Sequence, residues 1–169
     1  MVIGIGGISN AGKSTLALRI NDYYSSNKVI ILCQDDYAFP KDKIPLIRDH
    51  VNWECPESID FNYYENVVQE VITKNEIVIV EGIFAFYKDS FNKHIDRKIF
   101  LTLDRSFFFS RKSNDLRWGK EPEWYMQHIW DSHHKYCDHN TPKDALRIKA
   151  NEDIDLKMVI DFLEKSNVK

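Results

Sequence analysis

The spacing of apolar positions changes several times along the chain, and each change marks an element. Residues 2–5 form a short, mostly apolar run that leads into Gly6 and Gly7. Leu16, Ala17, Ile20 and Tyr24 then recur at helical spacing, so the N-terminal segment reads as strand, loop and helix. Residues 28–33 (KVIILC) and 76–80 (EIVIV) are continuous β-branched runs, the pattern of parallel strands buried on both faces. Residues 98–103 (KIFLTL) give a fourth strand, and residues 146–150 (LRIKA), set off by Pro142, a fifth. Phe61, Tyr64, Val68, Val71 and Ile72 line one helix face, and Leu156, Val159, Ile160 and Leu163 line the last. Strands alternating with helices predict an α/β fold, an open parallel five-stranded sheet with helices on both faces. Residues 39–58, broken by Pro40, Pro45 and Pro56, are the longest irregular connection, and such a loop is expected to cover a ligand site.

Composition narrows the picture. A chain of 169 residues that is 43% hydrophobic supplies one core, so one domain is expected. With 23 basic and 26 acidic residues the net charge is −3, which argues against a surface for sequence-independent binding of nucleic acid. There is no apolar run of about 18 residues and no basic, then apolar, N-terminal leader, so no membrane association is expected. Cys33, Cys55 and Cys137 are widely spaced and form no CxxC pair. Reduced thiols and a cytoplasmic setting follow as expectations.

The chemistry is concentrated at the N-terminus. Four of the six glycines, Gly4, Gly6, Gly7 and Gly12, fall in the first twelve residues and read as a concentration of backbone freedom. Gly7-Ile-Ser-Asn-Ala-Gly12-Lys13-Ser14 fits GxxxxGK[ST] at every fixed position, after a predicted strand and before a predicted helix. In such a loop the backbone N–H groups of Gly7, Ser9, Asn10, Ala11, Gly12, Lys13, Ser14 and Thr15 would cradle phosphates, aided by the helix N-terminus. Lys13 would reach the outer phosphates and Ser14 would hold Mg²⁺. The loop leaves the recipient open: water, a small metabolite or a partner's conformational state.

A GTPase would also carry DxxG and NKxD elements. Neither is present, because Asn92-Lys93-His94-Ile95-Asp96 has one residue too many and follows no strand. In an open α/β sheet the ligand crevice lies outside the C-terminal strand ends. Asp35 and Asp36 follow the second strand and Glu81 follows the third, so carboxylates converge near Lys13. One could accept the proton of an attacking hydroxyl while another supports Mg²⁺, which favours a small-molecule kinase. On an extended segment Asp36 would point away from a site that Asp35 faces.

The set G-ISNA-GKST, CQDDYAFP, NWECPESIDF and IVIVEGIFAF resembles the uridine kinase and nicotinamide riboside kinase group of P-loop nucleoside kinases, most closely the riboside kinase-like branch. The likeness spans roughly residues 2 to 130. It implies ATP and Mg²⁺ as cofactors, a small-molecule nucleoside as partner, Asp35 as catalytic base and Glu81 as a metal-supporting acid. It also places Glu54 where the family has a ribose-holding Asp, and Trp53 where an aromatic residue stacks on the substrate's base. The alternative for Trp53 is ordinary packing. The resemblance further implies a lid at about residues 111–122, with Arg111 and Arg117 over the transferring phosphate, and the position of Trp118 next to Arg117 suggests it as a residue closing on the base from the opposite side. A solvated basic helix face is the alternative for these arginines.

His128, His133, His134 and His139 with Cys137 lack tetrahedral metal spacing, and a partly exposed helix with Trp124, Ile129 and Trp130 inward explains that segment. Phe107, Phe108 and Phe109 read as core and interface packing. The leading expectation is 5′-phosphorylation of nicotinamide riboside or uridine. Alternatives are another hydroxylated acceptor such as pantothenate, or a non-catalytic ATP-binding module. No donor-base motif separates ATP from GTP, and oligomeric state is not legible.

Overall fold

The computed structural model describes residues 1–117 and 119–165. The apolar runs become β1 (Val2–Gly7), β2 (Val29–Cys33), β5 (Ile77–Glu81), β6 (Arg97–Thr102) and β7 (Leu146–Lys149). They pair in the order β2-β5-β1-β6-β7, every pairing parallel. Between them lie α1 (Lys13–Tyr23), α2 (Phe61–Ile72), α3 (Asp89–Asn92), α4 (Arg105–Asn114) and α5 (Glu123–Ser132), and α6 (Leu156–Glu164) closes the described chain.

Strand alternation divides the core in two. Ile3, Ile5, Ile77, Ile79, Ile99 and Leu101 face one side and pack with Leu16, Ala17 and Ile20 of α1, Phe108 of α4, Ile129 of α5 and Val159 of α6. Val2, Val78, Val80 and Phe100 face the other and pack with Tyr64 and Val68 of α2 and Phe91 of α3. A strand with both faces covered needs apolar residues at successive positions, which is why these runs do not alternate with polar residues. Each such side chain contributes about 1.5–3 kcal/mol when buried.

The glycine cluster needs a correction. Backbone freedom is required at Gly7 (φ 141°) and Gly12 (φ 90°), but Gly4 and Gly6 lie inside β1. A Cβ at either would come within 2.8 Å of the Phe86 ring, so these two make room for an aromatic side chain. β1 accordingly runs on through Gly7 rather than ending at Ile5.

Three other expectations change. Residues 39–58 are not wholly irregular: they hold two short 3₁₀ turns, Lys41–Lys43 and Pro56–Ser58, and a ribbon of β3 (Leu46–Ile47) against β4 (His50–Val51). Gln34–Tyr37 is a 3₁₀ turn, so the extended-chain alternation invoked for Asp36 does not operate there. Of the phenylalanine run, Phe108 is buried while Phe107 is 42% exposed, because neighbours on a helix point about 100° apart. No described helix is long and apolar enough to cross a membrane.

Candidate active site

β1 feeds α1 through a loop anchored by buried Ile8 and Ala11. Ile8 O accepts from Ala11 N at 3.2 Å and from Lys13 Nζ at 3.0 Å, which curls the loop around its own lysine. Gly12 caps α1 in the left-handed conformation, with no side-chain cap and no acidic residue in the first turn. The helix thus starts with free N–H groups and a positive dipole end, the arrangement that accepts a phosphate.

Ser14 Oγ donates to Glu81 Oε1 at 2.8 Å, and Glu81 is only 2% exposed. Parallel register sets the position: Ile5 and Cys33 both stand opposite Glu81, so the carboxylate sits where β2 and β5 end, with β1 running two residues further toward the loop. A hydroxyl and a carboxylate are hard oxygen donors and fit Mg²⁺, which keeps much of its water and takes few protein ligands.

Gln34 sets the next residue. It is 1% exposed, its Oε1 accepts from Phe84 N at 2.9 Å, and it packs so closely on Gly82 that a Cβ there would lie 2.4 Å away. The turn after β2 is thereby locked to the end of β5, and Asp35 follows directly. Asp35 is partly open to solvent, but crowding by the protein raises its carboxyl above the usual range. Lys13 opposes that shift and Glu81 adds to it. Lys13, Asp35 and Glu81 therefore share one field, as the strand-end argument expected.

Glu54 enters from the long connection. Burial raises its carboxyl to about 7, with Lys112 and Lys13 pulling the other way and Asp35 and Glu121 adding to the rise. Lys112 is a site residue that the sequence pattern does not single out: it is 7% exposed and stands 3.8 Å from Glu121. The ion pair spans the turn between α4 and α5 and brings two charges to Glu54 that no local motif announces. Trp53, beside Glu54, is 37% exposed, and its carbonyl accepts from Ser58 Oγ at 3.1 Å.

The two arginines go to different places. Arg111 was expected over the transferring phosphate, but its guanidinium donates to Asn10 O at 3.3 Å and Asn151 O at 2.9 Å. It lines a cleft of about 280 Å³ with Gly12, Thr15, Arg19 and residues 150–154. Arg117 forks onto Asp115 at 2.8 and 2.7 Å, and its charge also acts on Asp35. Asp115 in turn accepts from Asn10 Nδ2 at 2.8 Å, tying the segment after α4 to the loop. Asn10 holds φ 62°, and Ser9 Oγ donates to its side-chain oxygen at 3.1 Å. Trp118 lies outside the described residues.

The histidine-rich segment is spent on packing. His133–Asp138 is a π-helical continuation of α5. His133 stacks on Phe100 with centroids 5.6 Å apart, and burial pushes its ring down to about 3. His134 packs edge-on against Trp130. Among the described residues no three His, Cys, Asp or Glu side chains gather as a metal site of their own.

Comparisons with known proteins place the chain in a family and a fold. The chain is similar to a uridine kinase of Deinococcus deserti (26% identical, covering 75% of this chain and 74% of that protein). It is also similar to human nicotinamide riboside kinase 1 (25% identical, 80% and 75% covered). Among solved structures, shikimate kinase from Bacteroides thetaiotaomicron superimposes with a TM-score of 0.66 over 98% of this chain and 99% of that one, at 20% identity. A possible uridine kinase from Bacillus stearothermophilus gives 0.58 over 86% and 88%, at 14% identity. At those identities the structures establish the fold, that of P-loop kinases. The family model described as Phosphoribulokinase / Uridine kinase matches residues 55–143, the stretch that carries Glu81, Lys112 and Glu121. With more than half of its length matched, the chain belongs to the phosphoribulokinase and uridine kinase family.

Proposed function

We propose that the protein transfers the γ-phosphoryl group of ATP to the 5′-hydroxyl of a ribonucleoside. The observation that carries this reading is that Asp35 and Glu54, from separate segments, both feel the charge of Lys13, the lysine held in the phosphate loop next to the Ser14–Glu81 hydrogen bond. A regulatory ATP-binding module has no need of two acceptor-side carboxylates.

Asp35 takes the proton of the attacking hydroxyl as its oxygen bonds to the γ-phosphorus, and the bond from the γ-phosphorus to the β,γ-bridging oxygen breaks. Its raised affinity for a proton, set by crowding and by Glu81, suits that task. Lys13 and Arg117 carry positive charge toward the oxygens of the transferring group. Ser14 and Glu81 would hold Mg²⁺, which would supply charge neutralisation on the phosphates. Arg111 and the 150–154 loop frame the cleft that receives the donor's base. Glu54, with Lys112 beside it, takes the ribose hydroxyls, and Trp53 offers its exposed face to the acceptor's base. Residues 111–122 act as the lid over this site. The proteins named above as uridine kinase and nicotinamide riboside kinase support uridine and nicotinamide riboside as the first acceptors to try.

The test is an acceptor panel with γ-labelled ATP: uridine, cytidine, nicotinamide riboside, their 2′-deoxy counterparts, pantothenate, shikimate and gluconate. The reading expects label on a ribonucleoside and weaker transfer to its 2′-deoxy form. Transfer only to a non-nucleoside, or none with intact ATP binding, contradicts it.

A further inference from the structure

Asn52 stands two residues before Glu54, and its side-chain oxygen serves two neighbours. It accepts the Glu54 backbone N–H at 3.3 Å and lies 2.8 Å from His128 Nε2 on α5. These contacts fix the hydrogen positions. With the Asn52 amide turned over, its NH₂ would meet the Glu54 N–H donor to donor, so the oxygen must face Glu54. His128 is then the second donor, through its Nε2–H tautomer. Ser132 Oγ lies 3.4 Å from the same nitrogen.

The same helix grips the rest of the β3–β4 ribbon. Tyr125 Oη donates to Val51 O at 3.0 Å. The His50 ring sits edge-on to Trp124 with centroids 4.8 Å apart, and the Arg48 guanidinium lies 4.3 Å from the Trp124 centroid. Arg48 holds φ 54° in the turn of the ribbon, a left-handed conformation uncommon for a non-glycine residue, and these contacts hold the turn.

We infer that His128, acting through Asn52, is a positioning residue for Glu54, so that α5 sets where the acceptor-side carboxylate stands. This rests on the reading of Glu54 as an acceptor-binding group. The chemistry is economical: a neutral donor on a helix is fixed by the helix backbone, whereas Glu54 sits on a segment with little regular structure. Burial lowers the affinity of His128 for a proton, which favours the neutral ring, and the contact with Asn52 Oδ1 selects its Nε2–H tautomer.

The test compares His128→Leu, which removes the donor, His128→Gln, which can still offer an N–H, and Asn52→Ala. Amide hydrogen exchange at Glu54 in the protein without substrates is the first readout. Steady-state KM values for acceptor and for ATP are the second. His128→Leu and Asn52→Ala should each speed exchange at Glu54 and raise the acceptor KM, each by up to about tenfold. The ATP KM should stay within about twofold, and the double variant should be no worse than either single one. His128→Gln should restore exchange and acceptor KM toward wild type. Unchanged exchange at Glu54 in His128→Leu overturns the inference, as does a loss spread equally over both substrates. If the wild-type protein phosphorylates no nucleoside while exchange at Glu54 responds as described, the functional reading of Glu54 fails and its positioning by His128 stands.

Discussion

Ser14 and Glu81 are 67 positions apart in sequence, yet the Ser14 hydroxyl donates to the Glu81 carboxylate at 2.8 Å in a site where Glu81 is almost wholly buried. A buried carboxylate at the end of a strand, held by the phosphate loop's own serine, is where Mg²⁺ would be received. Glu81→Gln should raise the Mg²⁺ concentration for half-maximal activity by about tenfold or more, read by Mg²⁺ titration at fixed ATP. An unchanged Mg²⁺ requirement would count against the assignment.

The Glu54 carboxyl, raised to about 7, has a consequence for stability as well as activity. In the unfolded chain it titrates near 4.3. Its folded-state proton affinity is higher, so its contribution is fully present below about pH 4 and is lost as pH rises through about 7. Glu54→Gln should therefore gain on the wild type above pH 7, by on the order of 1–3 kcal/mol, and the gain should vanish toward pH 4. Denaturant melts at pH 4.5 and 8 check this. A pH-independent difference would show that the fold leaves the proton affinity of Glu54 unchanged. In turnover, the wild-type acceptor kcat/KM should rise with pH around 7 and this limb should flatten in Glu54→Gln.

Arg117 separates function from stability. Its guanidinium is 72% exposed, while the Asp115 side chain it forks onto is 8% exposed and keeps its bond from Asn10 Nδ2 without the arginine. Arg117→Ala should therefore lower the melting temperature only modestly while lowering kcat by about a hundredfold or more. An unchanged kcat in Arg117→Ala would reduce it to a surface residue.

Gly6 is predicted to be intolerant for steric reasons. Its Cβ would overlap the Phe86 ring at 2.8 Å, so Gly6→Ala should destabilise by about 1–3 kcal/mol. Adding Phe86→Leu should recover part of that loss in thermal melts. A double variant no better than the sum of the two would disprove the pairing.

The phosphate loop was legible because phosphate binding demands fixed residue types at fixed spacing, and the strands because burial on both faces leaves no polar alternation. Asp35 and Glu81 were legible through topology, since strand ends in a parallel sheet face one crevice. What escaped depends on partners distant in sequence. Gln34 looks like a surface polar residue until Phe84 and Gly82 close over it. Lys112 looks like one more lid cation until Glu121 and Glu54 surround it. Arg111 carries a charge suited to phosphate, but its direction is fixed by the carbonyls of Asn10 and Asn151, 101 and 40 positions away. The reason for Gly4 and Gly6 lies in a ring some eighty positions later.

The most direct measurement is nucleoside-dependent ADP release by the wild type and by Asp35→Asn, with product identified by mass and phosphorus NMR. Asparagine keeps the shape of Asp35 but cannot accept the hydroxyl proton. The account predicts a nucleoside 5′-monophosphate from the wild type, and a loss of about a hundredfold or more in kcat for Asp35→Asn with unchanged ATP binding and melting behaviour. Full activity in Asp35→Asn, or phosphate released only to water, would contradict it.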